Sequence, residues 1–237
     1  MAACSSNPAQ LSAGSLAFDG VDDHVVLADM PDPPAKAWTI EAWIRPTPSD
    51  QTRPDIVARR SPKGGLDTFT FRLRRDFGDV LELGLASPQG TWGMAGQAAI
   101  PNGRWTHVAA TWERAQRKLR LFVDGRVDAE RDCPIDPGRG PAPLWLGGDP
   151  LHGPEGRPFS GSIAELRVWD HARSSEQLSA AKGRSMRGDE PGLLLYWPVR
   201  DGQGTRIADL GPHGLHGAMG GDNPAEYAPA WSDDAPF

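Results

Sequence analysis

A chain of 237 residues can form one large all-β domain or two small ones, and 28 Gly and 23 Pro beside nine Trp and seven Phe describe short strands and tight turns around a packed core. A formal net charge of −6 with scattered Lys and Arg argues against nucleic acid as a partner, because phosphate backbones are held by clustered cations. No run approaches the roughly 20 apolar residues of a membrane-spanning helix.

In chain order, MAACSSN resembles the end of a bacterial lipoprotein signal, which would make Cys4 a lipid anchor; the alternative is a flexible N-terminus over residues 1–13. Next, LAFDGVDDHVVL (16 to 27) places Asp19, Asp22 and Asp23 within five positions, ahead of an apolar run that reads as a strand. Three carboxylates so close repel one another, so they face water, a turn backbone or a cation. Period-two alternation then gives strands in WTIEAWIR (38 to 45), TFTFRLR (68 to 74), VLELGLA (80 to 86), WTHVAATW (105 to 112), KLRLFVDG (118 to 125), PLWLGG (143 to 148) and SIAELRVWD (162 to 170). In TFTFRLR, Arg72 and Arg74 share a face that reads as solvated. In KLRLFVDG, Leu119, Leu121 and Val123 point one way, Arg120 and Phe122 the other, and Asp124-Gly125 suits a tight hairpin. Strands at this density suggest two antiparallel sheets packed face to face.

One helix is predicted near residues 175–182, in RSSEQLSAAKG. Ser174 and Gln177 form a capping box, Gly183 supplies a left-handed end, and the helix would plug one end of the sandwich. GLLLYWPV (192 to 199) adds a strand. Residues 220–237 read as a weakly ordered tail unless Tyr227 and Trp231 are pinned to the body, which leaves a single domain over residues 14–219.

Catalytic templates are missing: there is no GxSxG turn, HExxH, CxxC pair or phosphate-cradling glycine loop. Cys4 and Cys133 make neither a disulfide framework nor a zinc site. His213 and His216 in GPHGLHG read as turn residues, and His107 as part of the strand architecture. Glu82 and Glu165 each stand alone on a strand and read as solvent-face residues.

Seven pieces in order, LAFDGVDDHVVL, WTIEAWIRP, GRWTHVAATW, LRLFVDG, LWLGG, FSGSIAELRVWDHARSSEQL and GLLLYWPVRDGQGT with DLGPHGLHG, resemble the laminin-G-like jelly roll of the concanavalin A-like lectin/glucanase superfamily, in the bacterial branch near pentraxins. The resemblance covers about residues 14 to 219 and implies an all-β, two-sheet antiparallel jelly-roll sandwich. It also implies a calcium site built from Asp19, Asp22 and Asp23 together with the Asp of a later GxIDE segment. Here GSIAE carries Ala164 in that place, and alternation puts Glu165 on the opposite face, so the site is expected to be weakened.

Glucanases of the superfamily cleave with alternating carboxylates in a pattern like ExDxE; its absence here implies a protein that is not an enzyme. Trp43, Trp105, Trp112, Trp169 and Trp197 fit scaffold positions, Trp38 is ambiguous, and Trp92 and Trp145 in glycine-rich surroundings are the ligand-binding candidates. The leading reading is a non-catalytic recognition module that binds carbohydrate or a partner protein through sheet-edge loops, with calcium assistance. The alternative is a structural or assembly component, such as an adhesin, decoration or cargo-like subunit of a surface or secretion particle; a polysaccharide hydrolase ranks last. Family habit and the Cys4 context favour a secreted or cell-surface location, and the oligomeric state stays open.

Overall fold

The computed structural model describes residues 14–60, 68–150 and 157–237; Cys4 and residues 1–13 lie outside the described residues. One sheet contains β1 (Ser15–Asp19), β3 (Ala37–Pro46), β8 (Thr106–Glu113), β9 (Lys118–Val123), β10 (Arg126–Asp132), β12 (Ser160–Trp169), β13 (Leu193–Trp197) and β16 (Ala230–Ser232). Its order is β10-β9-β8-β3-β12-β1-β16, and β13 pairs with the far half of β12 beyond β1. The second sheet contains β2 (Val25–Leu27), β4 (Asp55–Arg59), β5 (Phe69–Arg74), β6 (Val80–Ser87), β7 (Gly90–Ala95), β11 (Leu144–Leu146), β14 (Arg206–Ile207) and β15 (Gly217–Met219), in the order β14-β15-β2-β11-β4-β5-β6-β7. Every pairing is antiparallel. This is the two-sheet sandwich that the alternation predicts.

The period of two sorts each strand into a core face and an outer face. Trp38, Ile40, Ala42 and Ile44 of β3 enter the same buried cluster as Phe69, Phe71 and Leu73 of β5 and Leu81, Leu83 and Leu85 of β6. Each buried Ile, Leu or Phe among them contributes on the order of 1.5–3 kcal/mol by leaving water. The β9–β10 hairpin turns at Asp124 (φ 51°) and Gly125 (φ 78°), as the Asp-Gly pair requires.

The helix α1 (Ser175–Ala181) has its capping box: Gln177 N donates to Ser174 Oγ, and Ser174 N donates to Gln177 Oε1. Its position corrects the sequence reading. Leu178 packs on Ala109 and Phe122, the outward residues of β8 and β9, so the helix covers the outer face of a sheet rather than an end of the sandwich. Its C-terminus does not end on a left-handed Gly183; Lys182 is right-handed, and side chains take the free carbonyls. Trp43 Nε1 donates to Lys182 O at 2.8 Å, and Arg167 Nη1 to Ala181 O at 3.3 Å.

Residues 220–237 join the body. The strand β16 pairs with β1, a single helical turn α2 (Pro224–Tyr227) precedes it, His24 N donates to Tyr227 O, and Trp231 Nε1 donates to Gly204 O. A second correction concerns β12. Ala164 pairs with Trp43 and Arg167 with Glu41, so a bulge intervenes, with Glu165 at φ 54°. Ile163 and Leu166 both enter the core, which puts Ala164 and Glu165 on the same outer side instead of on opposite faces.

Candidate functional site

The end of β1 builds the acidic turn. Gly20 sits at φ +82°, and a Cβ there would lie 2.7 Å from Ser160 Cβ, so glycine is required where the chain crosses β12. The turn folds back on itself: Asp23 Oδ2 accepts from Asp19 N, Asp19 Oδ1 accepts from Val21 N, each at 2.8 Å. Ligand atoms of Asp19, Asp22 and Asp23 thereby lie within 4.8 Å of one another. Burial, with further pushes from Asp19 and Asp22, raises the Asp23 carboxyl to about 6. Asp22 is raised by burial, then by Asp19 and Glu226. An all-oxygen, strongly anionic donor set of this kind fits a hard cation such as calcium in charge and chemistry, and the cation would relieve the repulsion. Six to eight oxygens complete a calcium shell, so waters or carbonyls would supply those beyond the carboxylates. Ala164 does not adjoin this turn: Asp19 pairs with Ser160, four residues upstream, about 13 Å along the strand.

An aromatic group stands beside the acids. His24 Nδ1 lies 2.9 Å from Asp22 O, and its ring meets Trp145 edge-on at 5.6 Å and Tyr227 at 5.9 Å between centroids. Trp145 lies on β11, outside the core formed by Leu144 and Leu146, and is buried, with its indole N–H unpartnered. The sequence candidates are therefore split: Asp19, Asp22, Asp23 and Trp145 gather around His24, while Trp92 does not join them. Trp92 is on β7, four strands from β11 and roughly 19 Å away. Its ring packs against the core, its Nε1 donates to Asp132 O, and Arg131 stacks over it at 4.5 Å. Near its backbone the outer face of the sheet forms a cleft of about 260 Å³ with Thr70, Arg72, Glu82, Gly84 and Arg157.

Of the two lone carboxylates, Glu82 is on the outer face as expected, whereas Glu165 is not a solvent-face residue. Glu82 bridges Arg72 and Arg74. Glu165 is buried and receives hydrogen bonds from Arg167, Arg200 and the Tyr196 hydroxyl. Beside it, fully buried Glu41 takes Trp169 Nε1 at 2.7 Å and Arg173 Nη1 at 2.5 Å, with His107 Nε2 at 2.8 Å. Burial raises the Glu41 carboxyl, but His107, Arg167 and Arg173 outweigh it and bring it to about 2. This network lies under α1 on the outer face of the β3–β12 sheet. Sequence reading missed it, although the outward register of Thr39, Glu41 and His107 on neighbouring strands was its visible signal. His216 is a turn residue, as the motif suggests: its Nδ1 accepts from Asp209 N.

A family model described as concanavalin A-like lectin/glucanases superfamily, Laminin_G_3, matches residues 19–179. The rat (Rattus norvegicus) sushi, von Willebrand factor type A, EGF and pentraxin domain-containing protein 1 is 27% identical over 107 residues, 42% of this chain but only 3% of that protein. A Bacteroides ovatus protein termed carbohydrate binding superposes with a TM-score of 0.65 at 23% identity, over 92% of this chain and 61% of the other. The CBM40 of the Ruminococcus gnavus IT-sialidase, bound to α2,3-sialyllactose, gives 0.55 at 17% identity, over 73% of this chain and 100% of the module. At such identities the structural likeness shows the fold. Two layers of antiparallel strands, the ordered motifs and a match across most of the chain place this protein in the concanavalin A-like lectin/glucanase superfamily, with a laminin-G-type domain.

Proposed function

We propose that the protein is a non-catalytic recognition module, working outside the cell or at its surface, that binds carbohydrate at the rim where the acidic turn meets His24, Trp145 and Tyr227. The observation that carries the reading is the convergence of Asp19, Asp22 and Asp23 to within 4.8 Å beside that aromatic group. Asp19, Asp22 and Asp23 would hold a calcium ion, whose charge would offset the three carboxylates and orient saccharide hydroxyls; the half-buried Tyr227 ring would meet the apolar face of the sugar, with buried His24 and Trp145 behind it. The carbohydrate-binding descriptions of the similar structures support the ligand class. Recognition rather than hydrolysis is favoured because Glu41, Glu82 and Glu165 are each bound by guanidinium groups, leaving none poised to protonate a leaving group.

A glycan array probed in calcium and in chelator tests the reading. Binding to at least one saccharide in calcium, reduced at least tenfold by chelator, is the expected result. Silence on every glycan under both conditions overturns it.

A further inference from the structure

On the outer face of the second sheet, the period of two aligns Thr70 of β5, Gly84 of β6 and Gly93 of β7 in one row across the strands, and Arg72 with Glu82 in the next. Two neighbouring glycines leave the first row bare, and this forms the floor of the cleft of about 260 Å³. The floor is closely framed. A Cβ on Gly84 would stand 2.7 Å from Thr70 Oγ1 and 3.4 Å from Arg72 Nη2, so both polar atoms border the space that the missing side chain leaves. Ala86 and Thr91, paired across β6 and β7, close the other side.

The charges of the cleft do not cancel. Among the described residues that line it, Glu82 is the one carboxylate, and it is already shared: Oε1 accepts from Arg72 Nε and Oε2 from Arg74 Nη1, each at 2.7 Å. Half-buried Arg157 adds a further cation; its backbone is tied to the start of β4, where Asp55 N donates to Arg157 O. The Arg157 guanidinium has neither a hydrogen bond nor an ion pair among the described residues. Burial, then repulsion from Arg72, lowers its proton affinity; Asp55 pulls the other way, but Asp55 is buried and held by Arg60 at 2.7 Å. In a chain of net charge −6, this is a local positive excess. Water hydrates such a cleft without neutralising it, whereas the fork of a guanidinium matches the oxygens of a carboxylate or sulfate. The Thr70 hydroxyl can donate or accept, and Glu82 keeps lone pairs beyond its two ion pairs, which suits hydroxyl groups beside the anion.

We propose that this cleft binds an acidic sugar, its carboxylate or sulfate group lying between Arg72 and Arg157 and its ring over Gly84 and Gly93, with hydroxyls on Thr70 and Glu82. The proposal rests on the carbohydrate reading of the protein but concerns a second place, one that needs no cation: Gly84 on β6 is three strands from Trp145 on β11, roughly 14 Å.

The test is a titration of the ¹⁵N-labelled protein, in chelator and at constant ionic strength, with glucuronic acid, glucose 6-sulfate and glucose, following the backbone amides of Gly84, Thr91 and Gly93. Saturable shifts with at least one of the two acids, at least tenfold weaker with glucose, are expected; a response to glucuronic acid alone assigns the anion as a carboxylate, and to glucose 6-sulfate alone as a sulfate. Acetate and inorganic sulfate, which lack the ring, are expected to bind at least fivefold more weakly. Arg157→Gln is expected to weaken binding at least tenfold, whereas Arg126→Gln, at an exposed position on the other sheet, leaves it unchanged. Thr70→Val keeps the side chain's shape, removes its hydroxyl and is expected to weaken binding at least threefold in a protein whose spectrum is otherwise in place. Amides that stay fixed with both acids, that move equally with glucose or with the ringless anions, or that respond unchanged in Arg157→Gln overturn the proposal. Shifts that appear only in calcium and centre on Asp22 to His24 also overturn it, while leaving calcium-assisted recognition at the acidic turn standing.

Discussion

Asp23 is the most strained charge in the acidic turn, because it is nearly buried and has Asp19 and Asp22 as neighbours. Its folded-state pKa, about 6, lies above the value of 3.8 for the free side chain. A raised carboxyl favours the folded state below pH 4, and that advantage disappears as pH rises through 6. Asp23→Asn, whose carbonyl can still accept the Asp19 N–H, is expected to match the parent at pH 4 and to exceed it at pH 7.5 in chelator, by on the order of 1 kcal/mol after allowance for solvent screening. Thermal melts across that range check the sign, and excess calcium is expected to reverse it. Glu41 behaves in the opposite way: held at about 2 against 4.5, it stabilises the fold above pH 4.5, and the contribution fades as pH falls towards 2. Glu41→Gln leaves Arg173 and Arg167 facing a neutral group, and urea unfolding at pH 7 is expected to show a loss of about 3 kcal/mol that narrows in acid.

At the scale of elements, α1 holds the outer face of its sheet through buried Leu178 and Ala181, with Arg167 and Trp43 on its last carbonyls. Leu178→Ala opens a cavity over Ala109 and Phe122 and is expected to cost about 2–4 kcal/mol in chemical denaturation, with faster amide exchange in the helix. The elements legible in the sequence are those whose two faces differ. Phe69, Phe71 and Leu73 alternate with Thr70 and Arg72, and the capping box of α1 is local by nature. The strands β4, β7 and β10 are not legible: β4 buries Asp55 and Arg59 as well as its apolar residues, β7 is interrupted by glycines, and β10 is an exposed edge without an apolar stripe. The bulge at Glu165 is hidden for a related reason, since strict alternation carries no sign of an extra residue. Its partners Arg200 and Tyr196 arrive from distant sequence.

At the scale of the molecule, the acidic turn was readable as three residues, but its aromatic company was not. His24 meets Trp145 because β2 pairs with β11, Val26 opposite Trp145, and no local pattern announces a partner more than a hundred positions away. The C-terminal segment closes the edge of β1 in the same long-range way. The strand β16 covers Ser15–Ala17, and Asp234 reaches Arg45 at 2.6 Å and Trp105 Nε1 at 3.1 Å. A chain ending at Ala228 is therefore expected to melt several degrees lower and to self-associate through the uncovered β1 edge, which light scattering would detect.

The calcium claim links turn, rim and proposed function, and isothermal titration of the chelator-treated protein with calcium at pH 7.5 addresses it directly. One saturable site in the parent, absent when Asp22 and Asp23 are both changed to Asn, is the predicted outcome. No heat of binding in the parent, or the same isotherm in both proteins, would contradict it.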